Sequence, residues 1–123
     1  MILVAGSDRD MKNVELGQIG ALVRLLPAFA GFDEERLPET AQECAVLVQI
    51  EDGVERTLRL IARALPSTLR ETAYLLACEI AAIDGRAPLE ELRLLQRLRV
   101  ALGLDRLATA ALERATAARF AVA

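Results

Sequence analysis

Apolar residues recur at spacings of three and four along this chain, and no segment alternates between apolar and polar residues in the manner of a half-buried strand. Two stripes that show the helical spacing are Val54, Leu58, Ile61 and Leu65, and Leu92, Leu95, Leu98 and Leu102. The pattern predicts an all-α protein. With 123 residues the chain is long enough for one core, so residues 1–123 are interpreted as a single helical domain.

Helix caps and helix breakers divide the chain into seven predicted helices. The tetrads Asp52-Gly53-Val54-Glu55 and Thr68-Leu69-Arg70-Glu71 each match an N-cap with a glutamate three residues later. Pro66 and Gly103 are placed to end helices, and Asp105 is placed to cap the last one. The predicted helices span about 1–8, 13–26, 34–51, 53–65, 68–83, 89–102 and 106–119, with a break in the third near Pro38. Loops this short favour antiparallel neighbours in a compact bundle.

The composition favours a protein that binds other proteins. Hydrophobic residues make up 54% of the chain, so a homodimer or a protein partner is expected to cover apolar surface, unless abundant alanine inflates this count. No apolar run approaches the roughly 20 residues of a membrane span. A net charge of −3, no basic tract and few aromatic residues argue against nucleic acid. Cys44 and Cys78 lie in apolar stretches without an N-terminal secretory signal, as expected of free thiols in the cytoplasm.

The chain also carries a weak internal repeat with an offset of 76 residues. The offset pairs Asp8 with Asp84 and Glu15 with Glu91, and in each copy the aspartate closes one predicted helix while the glutamate lies in the first turn of the next. Further identities at this offset are Ala5 with Ala81, Leu16 with Leu92, Leu22 with Leu98 and Leu26 with Leu102. The repeat predicts two pseudo-symmetric helical hairpins with their acidic turns near each other. It also predicts a first helix truncated at its N-terminus, because the counterpart of the fifth helix would begin before Met1.

The acidic turns are candidate cation sites, although they are not EF-hands. An EF-hand loop that started at Asp8 would need oxygen ligands or glycine where the chain has Lys12, Asn13 and Ile19. The candidate ligands are Asp8, Asp10 and Glu15, joined by Asp84 and Glu91, and such hard carboxylate oxygens suit Ca²⁺ or Mg²⁺ better than zinc. The alternative is structural, since a glutamate in a first helical turn favours the helix dipole and an aspartate at a turn bonds nearby amides.

A second acidic group lies on the predicted third helix. Glu35, Glu39 and Glu43 are spaced at i, i+4 and i+8, which predicts one acidic stripe. The stripe is either a solvated face or a docking surface for a basic partner. A complementary basic patch, open to the same two interpretations, is formed by Arg86, Arg93 and Arg97.

The sequence gives little support to catalysis, and a protein that is not an enzyme is expected. The chain contains no histidine that would act as a base for a serine or cysteine nucleophile. No glycine-rich phosphate loop follows a predicted strand. Carboxylates without a defined cleft are weak support for hydrolysis.

Two segments, Met1–Asp33 and Ala73–Asp105, resemble the TerB family of tellurite resistance proteins. The most specific element is Ala82-Ile83-Asp84-Gly85 followed by a helix that opens with Glu90-Glu91, whereas Lys12 and Pro88 stand where a Ser or Thr cap would be expected. The resemblance implies a seven-helix fold shared with the N-terminal domain of a membrane-anchored J-domain co-chaperone, a cytoplasmic location and a role in tellurite and general stress resistance.

We therefore expect a TerB-like stress-response protein that acts by binding. The first candidate ligand is a divalent cation, Ca²⁺ or Mg²⁺, at the acidic turns. The alternative is a scaffold or adaptor that docks a chaperone or a membrane-associated partner, such as a resistance complex, through its apolar and acidic faces.

Overall fold

A computed structural model describes residues 1–6, 13–83 and 89–123, and every regular element within them is helical. The seven α-helices of these residues are α1 (Ile2–Ala5), α2 (Asn13–Leu25), α3 (Leu37–Gln49), α4 (Gly53–Ala64), α5 (Arg70–Ala82), α6 (Leu89–Ala101) and α7 (Arg106–Arg119). Short 3₁₀ helices lie at Pro27–Phe29, Glu34–Arg36 and Ser67–Leu69. The all-α prediction is confirmed, and the predicted boundaries lie within a few residues of the observed ones.

Helix α5 lies at the centre of the core. It packs against α1, α2, α6 and α7, and its residues Tyr74, Ala77 and Ile80 are almost completely buried. The buried apolar residues of the core are Val4, Ala5, Ile19, Leu22, Val23, Leu58, Tyr74, Leu76, Ala77, Cys78, Ile80, Ala81, Leu94, Leu95, Leu98 and Leu102. Helices α3 and α4 form a hairpin at one side of this core, where α3 contacts α1 and α4 contacts α6. None of the helices described is long and apolar enough to cross a membrane.

The helix ends show which capping predictions were right. Asp105 caps α7, and its carboxylate accepts a hydrogen bond of 2.7 Å from the backbone N–H of Ala108. Asp52 precedes α4 but makes no side-chain cap, because its backbone is left-handed (φ 55°, ψ 30°) instead of extended. Thr68 makes no cap either, since it lies inside the Ser67–Leu69 turn and α5 begins only afterwards.

The predicted break in the third helix is confirmed. Residues Glu34–Arg36 form a separate 3₁₀ turn, and α3 starts at Leu37 with Pro38 in its first turn. A proline is tolerated there because the first N–H groups of a helix have no intrahelical partner. Asp33 caps the preceding turn by accepting a 3.0 Å hydrogen bond from the N–H of Glu35.

Two pairs of residues that the 76-residue offset relates have closely matching exposure. Glu15 and Glu91 are both buried, at 1% and 3% exposure, while Leu16 and Leu92 are 44% and 45% exposed. Leu92 is thus exposed although it shares the apolar spacing of Leu95 and Leu98, because Glu91 takes the inward position in that turn. Matching exposure does not fix how the two hairpins are arranged, so the pseudo-two-fold axis stays a prediction.

Candidate functional site

Helix α3 contributes no fully buried residue to the protein. Its inward side consists of half-buried residues such as Cys44 and Val48, which face the rest of the chain. The opposite side carries residues spaced at i, i+3, i+4, i+7, i+8 and i+11, which places them on one face of the helix. We call this face the α3 stripe; it consists of Glu39, Gln42, Glu43, Val46, Leu47 and Ile50.

The α3 stripe has an acidic end and an apolar end. The first two turns carry Glu39 and Glu43, both exposed. The last turn carries Val46 and Leu47, and Ile50 follows directly after the helix; these residues are 60%, 38% and 44% exposed. All of the stripe except Ile50 lines an open depression of about 720 Å³. A helix face that leaves three large apolar side chains in water is typical of an interaction surface.

Helix α4 carries a face of opposite charge. Its exposed residues Arg56, Arg59, Leu60 and Arg63 are spaced at i, i+3, i+4 and i+7, and we call them the α4 stripe. Leu60 is 55% exposed. The three arginines form no salt bridge with any residue that the structure describes. These three positive charges therefore lie on the exposed side of α4.

A tight connection sets the two helices side by side. The backbone N–H of Gly53 donates a 2.9 Å hydrogen bond to the carbonyl oxygen of Ile50, and Asp52 adopts the left-handed conformation between them. A Cβ atom on Gly53 would lie 2.3 Å from the carbonyl oxygen of Leu47 and 2.8 Å from the Cα of Val48. Only glycine lets the start of α4 approach the end of α3 this closely.

The three glutamates that the sequence assigns to one helical stripe do not all lie on α3. Glu39 and Glu43 do, but Glu35 belongs to the 3₁₀ turn that precedes the helix. The correction follows from Pro38, since α3 begins beside it and the regular i, i+4, i+8 spacing does not continue backward. The acidic part of the candidate interface therefore consists of two glutamates.

The predicted cation ligands are divided between described and undescribed parts of the chain. Asp8, Asp10 and Asp84 lie outside the described residues. Glu15 and Glu91 are each the third residue of a helix, in α2 and α6, and both are buried. Among the residues described, no group of three His, Cys, Asp or Glu side chains is placed to hold a metal ion. Whether the two acidic turns meet stays a prediction.

Two carboxylates tie α5 to its neighbours. Tyr74 donates a 2.6 Å hydrogen bond to Glu113 of α7. Glu79, which is 5% exposed, forms a 2.8 Å salt bridge with Arg119 and accepts a 3.5 Å hydrogen bond from Gln18. Each carboxylate has a partner that explains its position, so these contacts stabilise the packing of α7 and α2 on α5.

The buried phenol of Tyr74 and the buried thiol of Cys78 are unsuited to act as a base or a nucleophile at neutral pH. Burial, assisted by the hydrogen bond to Glu113, holds the pKa of Tyr74 well above its usual range. Burial together with the charge of Glu113 raises the pKa of Cys78 to about 11. A thiol with so high a pKa remains protonated and poorly reactive near neutral pH.

A second depression, of about 400 Å³, lies around the 3₁₀ turn that follows α2. Its apolar wall includes Phe29 and Phe32, whose rings meet edge to face with centroids 6.4 Å apart. The positively charged side chain of Arg24, which also lines this depression, forms a 2.6 Å salt bridge with Glu34. Because this charge is already compensated within the chain, the depression is a weaker candidate for a ligand site than the α3 stripe.

The sequence prediction named Glu39 and Glu43 of the α3 stripe and did not name the α4 stripe. The signal for the α4 stripe was present in the spacing of Arg56, Arg59 and Arg63. The apolar continuation of the α3 stripe could not be found from periodicity alone, because Val46 and Leu47 fit a core-facing pattern equally well.

Comparison with known proteins adds no relative, since no protein-family model, no curated protein and no solved structure matches the chain.

Proposed function

We propose that this protein is a non-catalytic adaptor whose α3 stripe docks a basic amphipathic helix of a partner protein. The observation that carries the proposal is the pairing, on one uncovered helix face, of Glu39 and Glu43 with the exposed side chains of Val46, Leu47 and Ile50. An amphipathic helix that lies in an open groove supplies anchors at i, i+3, i+4 and i+7, which is the spacing of the stripe itself.

Apolar and charged residues have different tasks in this docking. Burial of Val46, Leu47 and Ile50 supplies most of the favourable free energy, at about 25 cal/mol per Å² of apolar surface removed from water. Glu39 and Glu43 supply orientation, because a basic helix that bound in the reverse direction would place its charges against the apolar end. A partner therefore needs an apolar stripe at one end and arginine or lysine at the other.

A direct test uses two labelled helical peptides with the same apolar positions and opposite charges. Fluorescence anisotropy is expected to show that the basic peptide binds and the acidic peptide does not. The Glu39→Lys/Glu43→Lys variant should lose affinity for the basic peptide by roughly tenfold or more, since each attraction becomes a repulsion. The matched control is Arg106→Glu/Arg114→Glu, which reverses two exposed charges on α7.

Binding of a natural partner should depend on the same acidic residues. A partner recovered by pull-down with the wild-type chain, purified and measured by itself, should lose binding to Glu35→Lys/Glu39→Lys/Glu43→Lys and keep binding to the α7 control. Equal affinity of the wild-type chain for both peptides, or equal recovery of the purified partner by all variants, would refute docking at this face.

The biological setting that we propose is cytoplasmic, TerB-like stress resistance, with a membrane-associated resistance complex as the partner class. Its support is the Ala82-Ile83-Asp84-Gly85 pattern followed by Glu90-Glu91. In cells that lack the gene, the wild-type chain should restore growth on tellurite and Glu39→Lys/Glu43→Lys should not. Full tellurite tolerance in the deletion strain would contradict this setting.

A second candidate function, the binding of Ca²⁺ or Mg²⁺ at the acidic turns, is favoured by one specific observation. Glu15 and Glu91 are both buried in the first turns of helices that directly follow the acidic segments with Asp8, Asp10 and Asp84. Carboxylate oxygens are suitable ligands for a hard cation.

Thermal unfolding with and without each cation tests this second function. A cation at 100 times its dissociation constant should stabilise the fold by about 2.7 kcal/mol. The Asp84→Asn/Glu91→Gln variant should lose this cation-dependent increase, whereas Glu90→Gln, one position away and exposed, should keep it. An identical melting curve in Ca²⁺, Mg²⁺ and chelator would exclude the cation site.

A further inference from the structure

We infer that the basic helix that docks on the α3 stripe is α4 of a second copy of this chain, so that two α3–α4 hairpins pack face to face as a homodimer. The inference rests on the proposed role of the α3 stripe as a protein-binding surface and names the partner of that surface. Three properties of the two stripes support it, namely their charge, their exposed apolar side chains and the level at which their residues lie along the α3–α4 hairpin.

The α4 stripe carries the positive charge that the acidic end of the α3 stripe requires. Arg56, Arg59 and Arg63 are exposed and form no salt bridge within the described part of the chain. Leu60 adds an apolar side chain that is 55% exposed. Of the two glutamates on the α3 stripe, Glu39 has only a long contact, 4.0 Å, to Arg36. Opposite charges therefore remain uncompensated on the exposed sides of two helices that contact each other.

The hairpin turn fixes which residues of the two helices lie at the same level. A Cβ atom on Gly53 would be 2.8 Å from the Cα of Val48, so these two residues are level with each other. In an antiparallel pair both helices rise from that level by about 1.5 Å per residue, so positions equally far from the turn lie at the same height. Within one residue, the level pairs are Glu43 with Arg59 and Glu39 with Arg63.

A two-fold axis parallel to the helices turns this register into an interface. Such an axis keeps each residue at its own level and places α3 of one copy opposite the antiparallel α4 of the other. Glu43 then faces Arg59 of the second copy, and Glu39 faces Arg63. The contact occurs twice and closes on itself, as expected of an isologous dimer. Packing of four antiparallel helices is a common solution for two such hairpins.

The size of the face predicts a dimer of modest affinity. A helix of 13 residues is about 20 Å long, so two such helices per copy bury an area near the lower end of stable interfaces, roughly 1,200 Å² in total. Interfaces at this lower end of size are typical of weak and transient complexes. The dimer is expected to form and dissociate reversibly with protein concentration.

Sedimentation velocity over about 1 to 300 µM protein tests the inference, since this range brackets micromolar dissociation constants. The wild-type mass should rise from 13.4 kDa toward twice that value. The variants Glu39→Lys/Glu43→Lys and Arg59→Glu/Arg63→Glu should each remain monomeric, with self-affinity reduced by at least tenfold. The control Arg106→Glu/Arg114→Glu should dimerise like the wild type.

A mixture of the two reversed variants is the decisive sample. In a mixed dimer both α3–α4 contacts again join opposite charges, so the equimolar mixture should dimerise although neither variant does by itself. The variant with all four reversals should form homodimers for the same reason. All these positions are exposed, and circular dichroism confirms that each variant keeps its helices.

The outcomes separate this inference from the proposed function. A monomeric wild-type chain that still binds the basic peptide through Glu39 and Glu43 would overturn the homodimer and leave the adaptor role intact. A dimer that survives both reversals, or a mixture that stays monomeric, would also overturn it. Two results together would support a second copy as the occupant of this face. The mixture of the reversed variants would form dimers, and the basic peptide would bind only weakly to the dimer.

Discussion

The guanidinium group of Arg70 donates a 3.1 Å hydrogen bond to the carbonyl oxygen of Ala62, and Pro66 is the reason that this oxygen needs a donor. In a continuing helix the N–H four residues later would bind it, but Pro66 has no N–H. The same guanidinium donates at 2.9 Å to the carbonyl oxygen of Leu102, at the end of α6. One side chain at the start of α5 thus satisfies the ends of two other helices, where a positive charge also favours the helix dipoles.

Replacement of this arginine should therefore weaken the whole bundle. Arg70→Met keeps most of the aliphatic packing and removes both hydrogen bonds, which should lower the free energy of unfolding by about 1–3 kcal/mol. Arg70→Lys keeps the charge but cannot bridge both carbonyl groups, so its free energy of unfolding should lie between those of Arg70→Met and the wild type. Urea denaturation measures the effect, and Arg114→Met on the exposed side of α7 is the control. Equal stability of Arg70→Met and the wild type would contradict this assignment.

Two glycines should respond to alanine in opposite directions. Gly53→Ala places a Cβ atom 2.3 Å from the carbonyl oxygen of Leu47, so it should force α3 and α4 apart and destabilise the protein by about 1–3 kcal/mol. Gly17 lies within α2 with no atom near its Cβ position, so Gly17→Ala should stabilise by about 0.5–1 kcal/mol. Thermal unfolding compares the pair. Similar shifts for both variants would show that the close approach at Gly53 is not a constraint.

The hydrogen bond between Tyr74 and Glu113 should make a measurable contribution to stability. Tyr74→Phe removes the buried hydroxyl and should cost about 0.5–1.5 kcal/mol at neutral pH. Because the folded pKa of Tyr74 is raised, its contribution is fully present below the ordinary value of 10.0 and is lost as the pH rises above it. Wild-type stability should thus fall more steeply than that of Tyr74→Phe at alkaline pH. Tyr74 is the single tyrosine of the chain, so phenolate absorbance reports its ionisation directly.

The Cys78 thiol should resist alkylation. Burial raises its pKa from 9.0 to about 11, which lowers its thiolate fraction at pH 8 by roughly a hundredfold. In a Cys44→Ala variant, the rate of iodoacetamide reaction should rise with pH and level off only near 11. The raised pKa of Cys78 stabilises the folded protein below pH 9.0, and this stabilisation is lost as the pH rises through about 11. A midpoint near 9 in the folded protein would contradict the burial of this thiol.

The helices themselves were predictable because their signals are local. Apolar spacing marked all seven, and Pro38, Gly103 and Asp105 marked boundaries that the structure confirms. The failed cap at Asp52 is instructive, since its sequence fits a capping box. Asp52 lies in the tight turn that brings Gly53 against the end of α3, and its backbone there is left-handed. A residue in this conformation does not form the extended N-cap that the tetrad predicts.

By itself the sequence determined the class of fold, the extent of its helices and the acidic residues of α3, because helix periodicity and helix caps act between residues a few positions apart. Only the tertiary structure decided which helix faces are covered. It left Val46 exposed, buried Glu15 and Glu91, and set Arg70 against the ends of α4 and α6. Exposure and long-range hydrogen bonds depend on which elements pack together, and the free energy of that packing is a property of the whole chain.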